Sequence, residues 1–422
     1  MFASMRRLPR NTKILSFVSL FNDLSSEAVA RILPLFLRES MHVSFVAIGW
    51  VEGVAETLSI LLRLGSGWLS DIFDRKKPLI ATGYGISALM RPLIPWAISV
   101  FGWSGALVMK ALDRVGKATR NSPRDVMIAQ DCGENDRGAG FGLNRALDMV
   151  GGLLGLAFSI IGISLAQKKG LPEAALSPET FRILILGASL FGFIAVGLVI
   201  FGVKEVIAKK LASPKKRRAH GSWTDLPKTY YGYVGCISLF CLASSSDAFL
   251  LLKLRSVGYS ITQTLLLLMG YSFVAAVSAF PIAKLSDKKR NRKTFILIGW
   301  SIYALAYLVF AYWDSAAVLG IGFICYGLYN GFVESTEKAL VADLAPATHL
   351  GRAYGLFNFS MGLMLLPANL LFGFLADQYD LKSAFLVGAI LSGLSVLGLM
   401  ALPISKKYQK SISPELGPSE SS

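Results

Sequence analysis

Leu112–Gln130 reads LDRVGKATRNSPRDVMIAQ, and its reading decides the fold. The stretch lies among long apolar runs, yet it carries Asp113, Arg114, Lys117, Arg120, Arg124 and Asp125. A charged side chain at mid-bilayer costs about 2.5–3.5 kcal/mol on insertion scales, so such a cluster persists only where it faces protein or water. The stretch therefore reads as the lining of a polar path inside a membrane-embedded helix bundle.

The rest of the chain fits that frame. Over 422 residues it is 53% hydrophobic, with a mean hydropathy of +0.53. Apolar runs of about 20 residues, the length a bilayer-crossing helix needs, recur throughout. Twelve spans are expected, at 14–37, 45–70, 78–98, 103–130, 137–166, 180–203, 229–253, 262–284, 293–313, 316–342, 351–376 and 381–404. The net charge of +16 collects in short loops: Arg6 to Lys13, Arg75 to Lys77, Lys204 to Arg218, Lys288 to Lys293 and Lys406 to Lys410. That is topogenic charge, not a nucleic-acid footprint, and it places both termini in the cytoplasm. The basic start, Met1 to Lys13, is followed by a run holding Asn22, Asp23 and Glu27, which reads as a retained first helix and not a signal peptide. Cys132, Cys236, Cys241 and Cys325 have no metal or disulfide spacing, and His42, His220 and His349 all fall in expected loops. With no histidine at membrane depth, an intramembrane enzyme is not expected, and with no Gly-rich lysine loop, neither is a nucleotide cofactor.

An internal repeat divides the spans six and six. Gly67-Trp68-Leu69-Ser70-Asp71 before Arg75-Lys76-Lys77 recurs as Ala283-Lys284-Leu285-Ser286-Asp287 before Arg290, Arg292 and Lys293. Ser25-Ser26-Glu27-Ala28 recurs as Ser245-Ser246-Asp247-Ala248, and Phe141-Gly142-Leu143 as Tyr354-Gly355-Leu356. The expected organisation is a first six-helix bundle over 1–203, a basic cytoplasmic linker over 204–228, a second bundle over 229–405 and a disordered tail over 406–422. Two homologous halves with a site at their interface is a transporter design.

These residues resemble the major facilitator superfamily of secondary transporters. The family's loop signature between the second and third helices is matched by Gly67, Asp71, Arg75, Lys76 and Lys77, with a degenerate copy around Asp287. The resemblance implies an all-α membrane fold of twelve helices in two pseudo-symmetric bundles, and a gating role for Gly67, Asp71, Arg75 and Asp287. It also puts Lys110 where the family often carries a coupling cation. The run D-R-x-G-K-x-x-R-x-x-P-R-D resembles a bacterial inner-membrane branch, some of whose members handle carboxylate siderophores of the rhizoferrin type. Gly151, Gly152 and Gly155 lack the proline of the family's antiporter pattern and read as close helix packing.

At about 100° per residue, Lys110, Arg114, Lys117, Asn121 and Arg124 share one stripe of the fourth span, and Pro123 is expected to kink it. Arg114 and Lys117, nearest mid-membrane, are candidate substrate groups with Asn22, Asn121, Tyr326, Asn330 and Glu334; Arg120, Arg124 and Asp125 are assigned to the gate. Asp23 and Glu27, with Lys110 and Asp113, are candidates for proton coupling, because a carboxylate in low dielectric responds to the loss of a neighbouring cation. Glu52, Glu56, Arg63, Arg145 and Asp148 read equally as structural ion pairs. The expected function is proton-coupled movement of a small anionic or polycarboxylate solute by a monomer in the bilayer. The alternatives are efflux by proton antiport and, from another class, a non-transporting receptor or scaffold.

Overall fold

The computed structural model describes residues 8–72, 75–132, 136–168, 176–205, 226–289, 291–333, 336–346 and 349–404, without the side chains of 64–72, 137, 167–168, 280, 287 and 289. The expected linker and tail fall largely outside these residues. The described chain is helical: α1 (Arg10–Glu39), α2 (Phe45–Ile72), α3 (Lys76–Phe101), α4 (Trp103–Asp131), α5 (Arg137–Lys168), α6 (Pro178–Gly197), α7 (Lys228–Ala243), α8 (Asp247–Ser256), α9 (Ile261–Lys289), α10 (Arg292–Tyr312), α11 (Ala316–Val333), α12 (Thr336–Leu344), α13 (Leu350–Gln378) and α14 (Leu381–Ala401). A short π-helical turn, Leu198–Gly202, extends α6. Together α7 and α8 make the seventh span, and α11 and α12 the tenth, giving twelve passes.

Ten of these spans, among the described residues, are long and apolar enough to cross a membrane. The other two, α1 and α4, are 30 and 29 residues long and fail only on polarity. The burial pattern is inverted accordingly. Large apolar side chains such as Ile183, Leu190 and Phe201 are exposed on the outer surface, while Asn22, Glu52, Arg91, Lys110, Asp113 and Arg120 are buried.

One feature departs from the expected spans. The seventh is interrupted at Ser244–Ser246, where the Ser246 hydroxyl caps α8 by accepting from the Ala248 amide. The freed amides are satisfied from other helices: Ser245 N–H donates to the Tyr307 hydroxyl (3.2 Å) and Ser246 N–H to Asn369 Oδ1 (2.9 Å). Helix α4 keeps to its expected span, from Trp103 through Pro123 to Asp131.

Packing follows the repeat. Helix α2 lies on α13 and α5 on α9, second span on eleventh and fifth on eighth. Moving six spans along the chain turns one pairing into the other, which is the pseudo-twofold relation between the halves. Glycine permits the tightest crossing: a Cβ at Gly49 would sit 2.5 Å from the Asn369 carbonyl oxygen, and one at Gly373 2.5 Å from that of Phe45. Likewise a Cβ at Gly155 would lie 2.5 Å from the Leu24 carbonyl, so the glycines of α5 serve its seat on α1.

The helices alternate in direction, so the molecule has two ends. The distal end holds the α1–α2, α8–α9 and α13–α14 turns; the terminal end holds the described chain's start and finish. One apolar core joins both halves and includes Ile32, Val51, Phe249 and Phe372. A second, made of first-half residues at the terminal end such as Leu15, Tyr84 and Met127, stands apart from it. The halves are thus fused distally and parted terminally.

Candidate functional site

A polar cavity of about 700 Å³ opens in the first half beside α1, α4 and α5. Its walls carry the cations Arg63, Lys117, Arg120, Arg124 and Arg145 and the acids Asp23, Asp125 and Asp148, with Asn22, Asn121 and Ser122 among them. A second cavity of about 290 Å³ shares Asp23, Arg145 and Asp148 with the first and reaches the seam between the bundles. There Glu27, Arg31 and Gly152 face Ser272 and Ala276 of α9.

The stripe on α4 divides when its partners are counted. Lys117 lines the cavity and has no hydrogen-bond or ion-pair partner among the described residues. Asn121 lies one turn on, in the same wall. Arg114 is not in that wall; it lies 3.9 Å from Asp113, which is held at 3.0 Å by Arg91. Arg91 also donates to Asn22, through the backbone oxygen (3.3 Å) and Oδ1 (3.0 Å). Arg120 is 2% exposed; it donates to the Ser87 hydroxyl (2.6 Å) and lies 4.3 Å over the Tyr84 ring. That makes it a clamp between α3 and α4. Arg124 pairs with Asp125 (3.0 Å) and donates to Ser19 (2.8 Å). Lys110 is buried against Glu52, whose second oxygen accepts from Ser246 of the other bundle (3.1 Å).

Among the acids, Asp23 lines both cavities, accepts from Asn22 Nδ2 at 3.0 Å, and has no cation within 4 Å among the described residues. Glu27 pairs with Arg31 at 3.2 Å. In the second half Tyr326 donates to Asp247 (3.0 Å), and Asn330 turns back to the Tyr326 carbonyl (3.1 Å). Glu334, and the side chains of Gly67, Asp71 and Asp287, lie outside the described residues; Arg75 is exposed beside the α3 N-terminus. The neighbouring Lys76 and Lys77 amides donate to Glu205, and Lys77 Nζ reaches the Ile200 carbonyl (2.7 Å). Its repeat counterpart Lys293 donates to the Met400 (3.0 Å) and Leu402 (2.7 Å) carbonyls.

Sequence reasoning passed over the bonds between bundles. Arg31 Nη1 meets Asp247 at 2.7 Å, and Arg255 pairs with Glu39. Asn369 Nδ2 donates to Glu56 (3.2 Å), and Asp377 accepts from the Phe45 (2.9 Å) and Val46 (2.8 Å) amides at the start of α2. All lie between the middle and the distal end. Two signals were available: Arg31 stands four residues after Glu27, and Asn369 is a lone amide in an apolar run.

Two six-span bundles joined at one end and parted at the other, with a polar cavity in the first half and a smaller one beside it at the seam, define a membrane carrier of small solutes. The chain belongs to the Major Facilitator Superfamily, which it matches over residues 15–363 and 234–419. It is 30% identical over 401 residues to an uncharacterised MFS-type transporter of Methanocaldococcus jannaschii, covering 94% of this chain and 95% of that one. To the magnetosome protein MamH of Paramagnetospirillum magneticum it is 25% identical, over 90% and 89% of the two chains. Among solved structures, the nucleoside transporter NupG superposes with a TM-score of 0.73 at 13% identity, over 93% of this chain and 98% of that one. The D-xylose-proton symporter gives 0.72 at 13% identity, over 94% and 98%. At such identities the shared property is the fold. The protein is accordingly a multi-pass membrane transporter and not an enzyme.

Proposed function

We propose that this transporter moves a small anionic solute of the carboxylate or polycarboxylate class, carboxylate siderophores included, by alternating access. One observation carries the reading: Lys117 is an ammonium without a hydrogen-bond or ion-pair partner among the described residues, in the wall of a cavity of about 700 Å³ that holds five cations against three acids. A cation there is stabilised by an incoming anion through charge-assisted hydrogen bonds, in a setting where the bond is stronger than in water. Asn121, Ser122 and Asn22 supply neutral donors and acceptors around it. Arg114, Tyr326 and Asn330 lie outside this wall, near Asp113 and Asp247, and are proposed to meet the solute only as the bundles move; Arg124 with Asp125 sits where the cavity meets the terminal end.

Coupling to protons belongs to the same reading. Asp23 borders both cavities and Glu27 the inner one. The cations that line these cavities are shared between the two carboxylates and an incoming anion, so solute binding and proton exchange at Asp23 or Glu27 are linked in this reading. Lys110 and Asp113, bound to Glu52 and Arg91, hold the frame. The protein works in the inner membrane with both termini in the cytoplasm, so the terminal opening faces inward.

The test is counterflow in proteoliposomes, comparing citrate and succinate with a cationic drug. Lys117→Gln is expected to lower carboxylate exchange at least about tenfold, the loss of roughly one charge-assisted bond. Exchange of the drug and not the acids would overturn the anionic reading. Full concentrative uptake by both Asp23→Asn and Glu27→Gln under an imposed pH gradient would overturn the coupling.

A further inference from the structure

The repeated Ser-Ser-acid motif has a structural outcome that neither copy shows alone. Glu27 of the first copy and Asp247 of the second converge on one guanidinium, Arg31, at 3.2 Å and 2.7 Å. The position 220 residues after Arg31, the offset separating the two motifs, is Leu251, fully buried and apolar. One cation therefore serves two repeat-related acids, one from each bundle, and it sits in the seam where the bundles meet.

Arg31 is also reachable. It lines the inner cavity of about 290 Å³, which adjoins the Lys117 cavity and shares Asp23, Arg145 and Asp148 with it. Its side chain keeps 15% exposure, and Asp247 keeps 25%. A guanidinium has five N–H donors in a planar fork. Nε and Nη2 face Glu27 while Nη1 faces Asp247, which leaves an N–H on each terminal nitrogen for an incoming oxygen.

The two acids differ in what they lose on leaving Arg31. Asp247 also accepts from the Tyr271 and Tyr326 hydroxyls, both within its own bundle. Released from Arg31, it is still hydrogen-bonded and avoids the penalty of a stranded buried charge. Glu27 has Arg31 as its bonded partner and sits on the same helix, one turn away. The exchangeable arm of the pair is the one that crosses between bundles.

We propose that Arg31 is the innermost anion-binding group of the pathway, and that a carboxylate of the solute takes the place of Asp247 on it, releasing the bond between the bundles. This rests on the anionic reading of the adjoining cavity. Solute occupancy and distal opening are then one event: the anion binds better to the state in which Asp247 has let go, as a ligand must if it is to shift a conformational equilibrium.

The full-length protein in nanodiscs, in a background without its four native cysteines, is titrated with succinate, citrate and phosphate, with affinity read by thermal stabilisation and distal opening by thiol labelling of Ile48→Cys, a position fully buried toward the distal end of α2. Asp247→Asn, which removes the competitor and keeps the tyrosine contacts, is expected to tighten binding of at least one probe by about tenfold. It should also raise labelling without any probe. Arg31→Gln is expected to raise labelling equally but to weaken binding by about tenfold; Arg31→Lys, which keeps the charge but not the fork, serves the same arm if the glutamine variant does not fold. If both variants raise labelling and leave affinity unchanged, Arg31 is a lock and not a ligand group, and the inference falls while the anionic reading stands. If the native protein binds none of the probes, both fall.

Discussion

The two ends of this molecule are built from similar residue types arranged to opposite effect. Toward the distal end a set of ion pairs and capping bonds crosses between bundles: Arg31 to Asp247, Arg255 to Glu39, Asn369 to Glu56, and Asp377 to the α2 amides, beside the Lys253–Asp314 pair (2.8 Å) that stays within the second bundle. At the terminal end the bonds given by the described residues stay inside one bundle. Asp131 binds Thr12, Glu205 binds the α3 amides, Lys293 closes on the end of α14, and Arg292 pairs with Asp343 (2.8 Å). Charge at one end joins the halves, and at the other it tightens each half separately. The state described here is therefore closed distally, and each bundle is braced to move as a body.

That contrast can be broken most severely at Lys110. Its partner Glu52 also holds Ser246 of the second bundle, all three buried. Lys110→Met strands a buried carboxylate and is expected to cost about 3–5 kcal/mol of stability in thermal unfolding, whereas Lys110→Met with Glu52→Leu recovers most of it. A double variant as unstable as the single one would show that the pair does not act as a unit. Next comes the crossing of α2 on α13. Gly49→Ala drives a methyl toward the Asn369 carbonyl and is expected to cost about 1–3 kcal/mol while raising distal thiol accessibility. Unchanged accessibility would mean that the crossing does not hold the distal end shut. The smallest effect is expected at the other end: Lys293→Gln loses contacts to backbone carbonyls within one bundle, worth about 1 kcal/mol or less, and should leave distal accessibility where it was.

The twelve spans were legible because a bilayer sets a length that an apolar run either meets or does not. The polarity of α1 and α4 marked the cavity wall in advance, since charge at that depth needs a protected face. The break at Ser244–Ser246 was not legible, because what makes it stable is Tyr307 and Asn369, far along the chain. The division between Arg114 and Lys117 has the same cause. Helical periodicity puts them on one broad stripe, but Arg91 of α3 holds Asp113 beside Arg114, and Lys117 is left facing the cavity. Arg31 was passed over although Glu27 beside it was not. Its meaning depends on Asp247, 216 residues away, and no local pattern announces such a partner.

The central claim is that an anion in the first-half cavity drives exchange between these two ends. Pulsed spin-label distances in a cysteine-free background test it most directly, with Ser99→Cys and Tyr379→Cys across the distal end and Arg75→Cys and Lys288→Cys across the terminal end. Without ligand the distal pair should be close and the terminal pair apart; citrate or succinate should lengthen the first distance and shorten the second in the same titration. Distances that stay fixed under every carboxylate but move with a cationic drug would contradict the account.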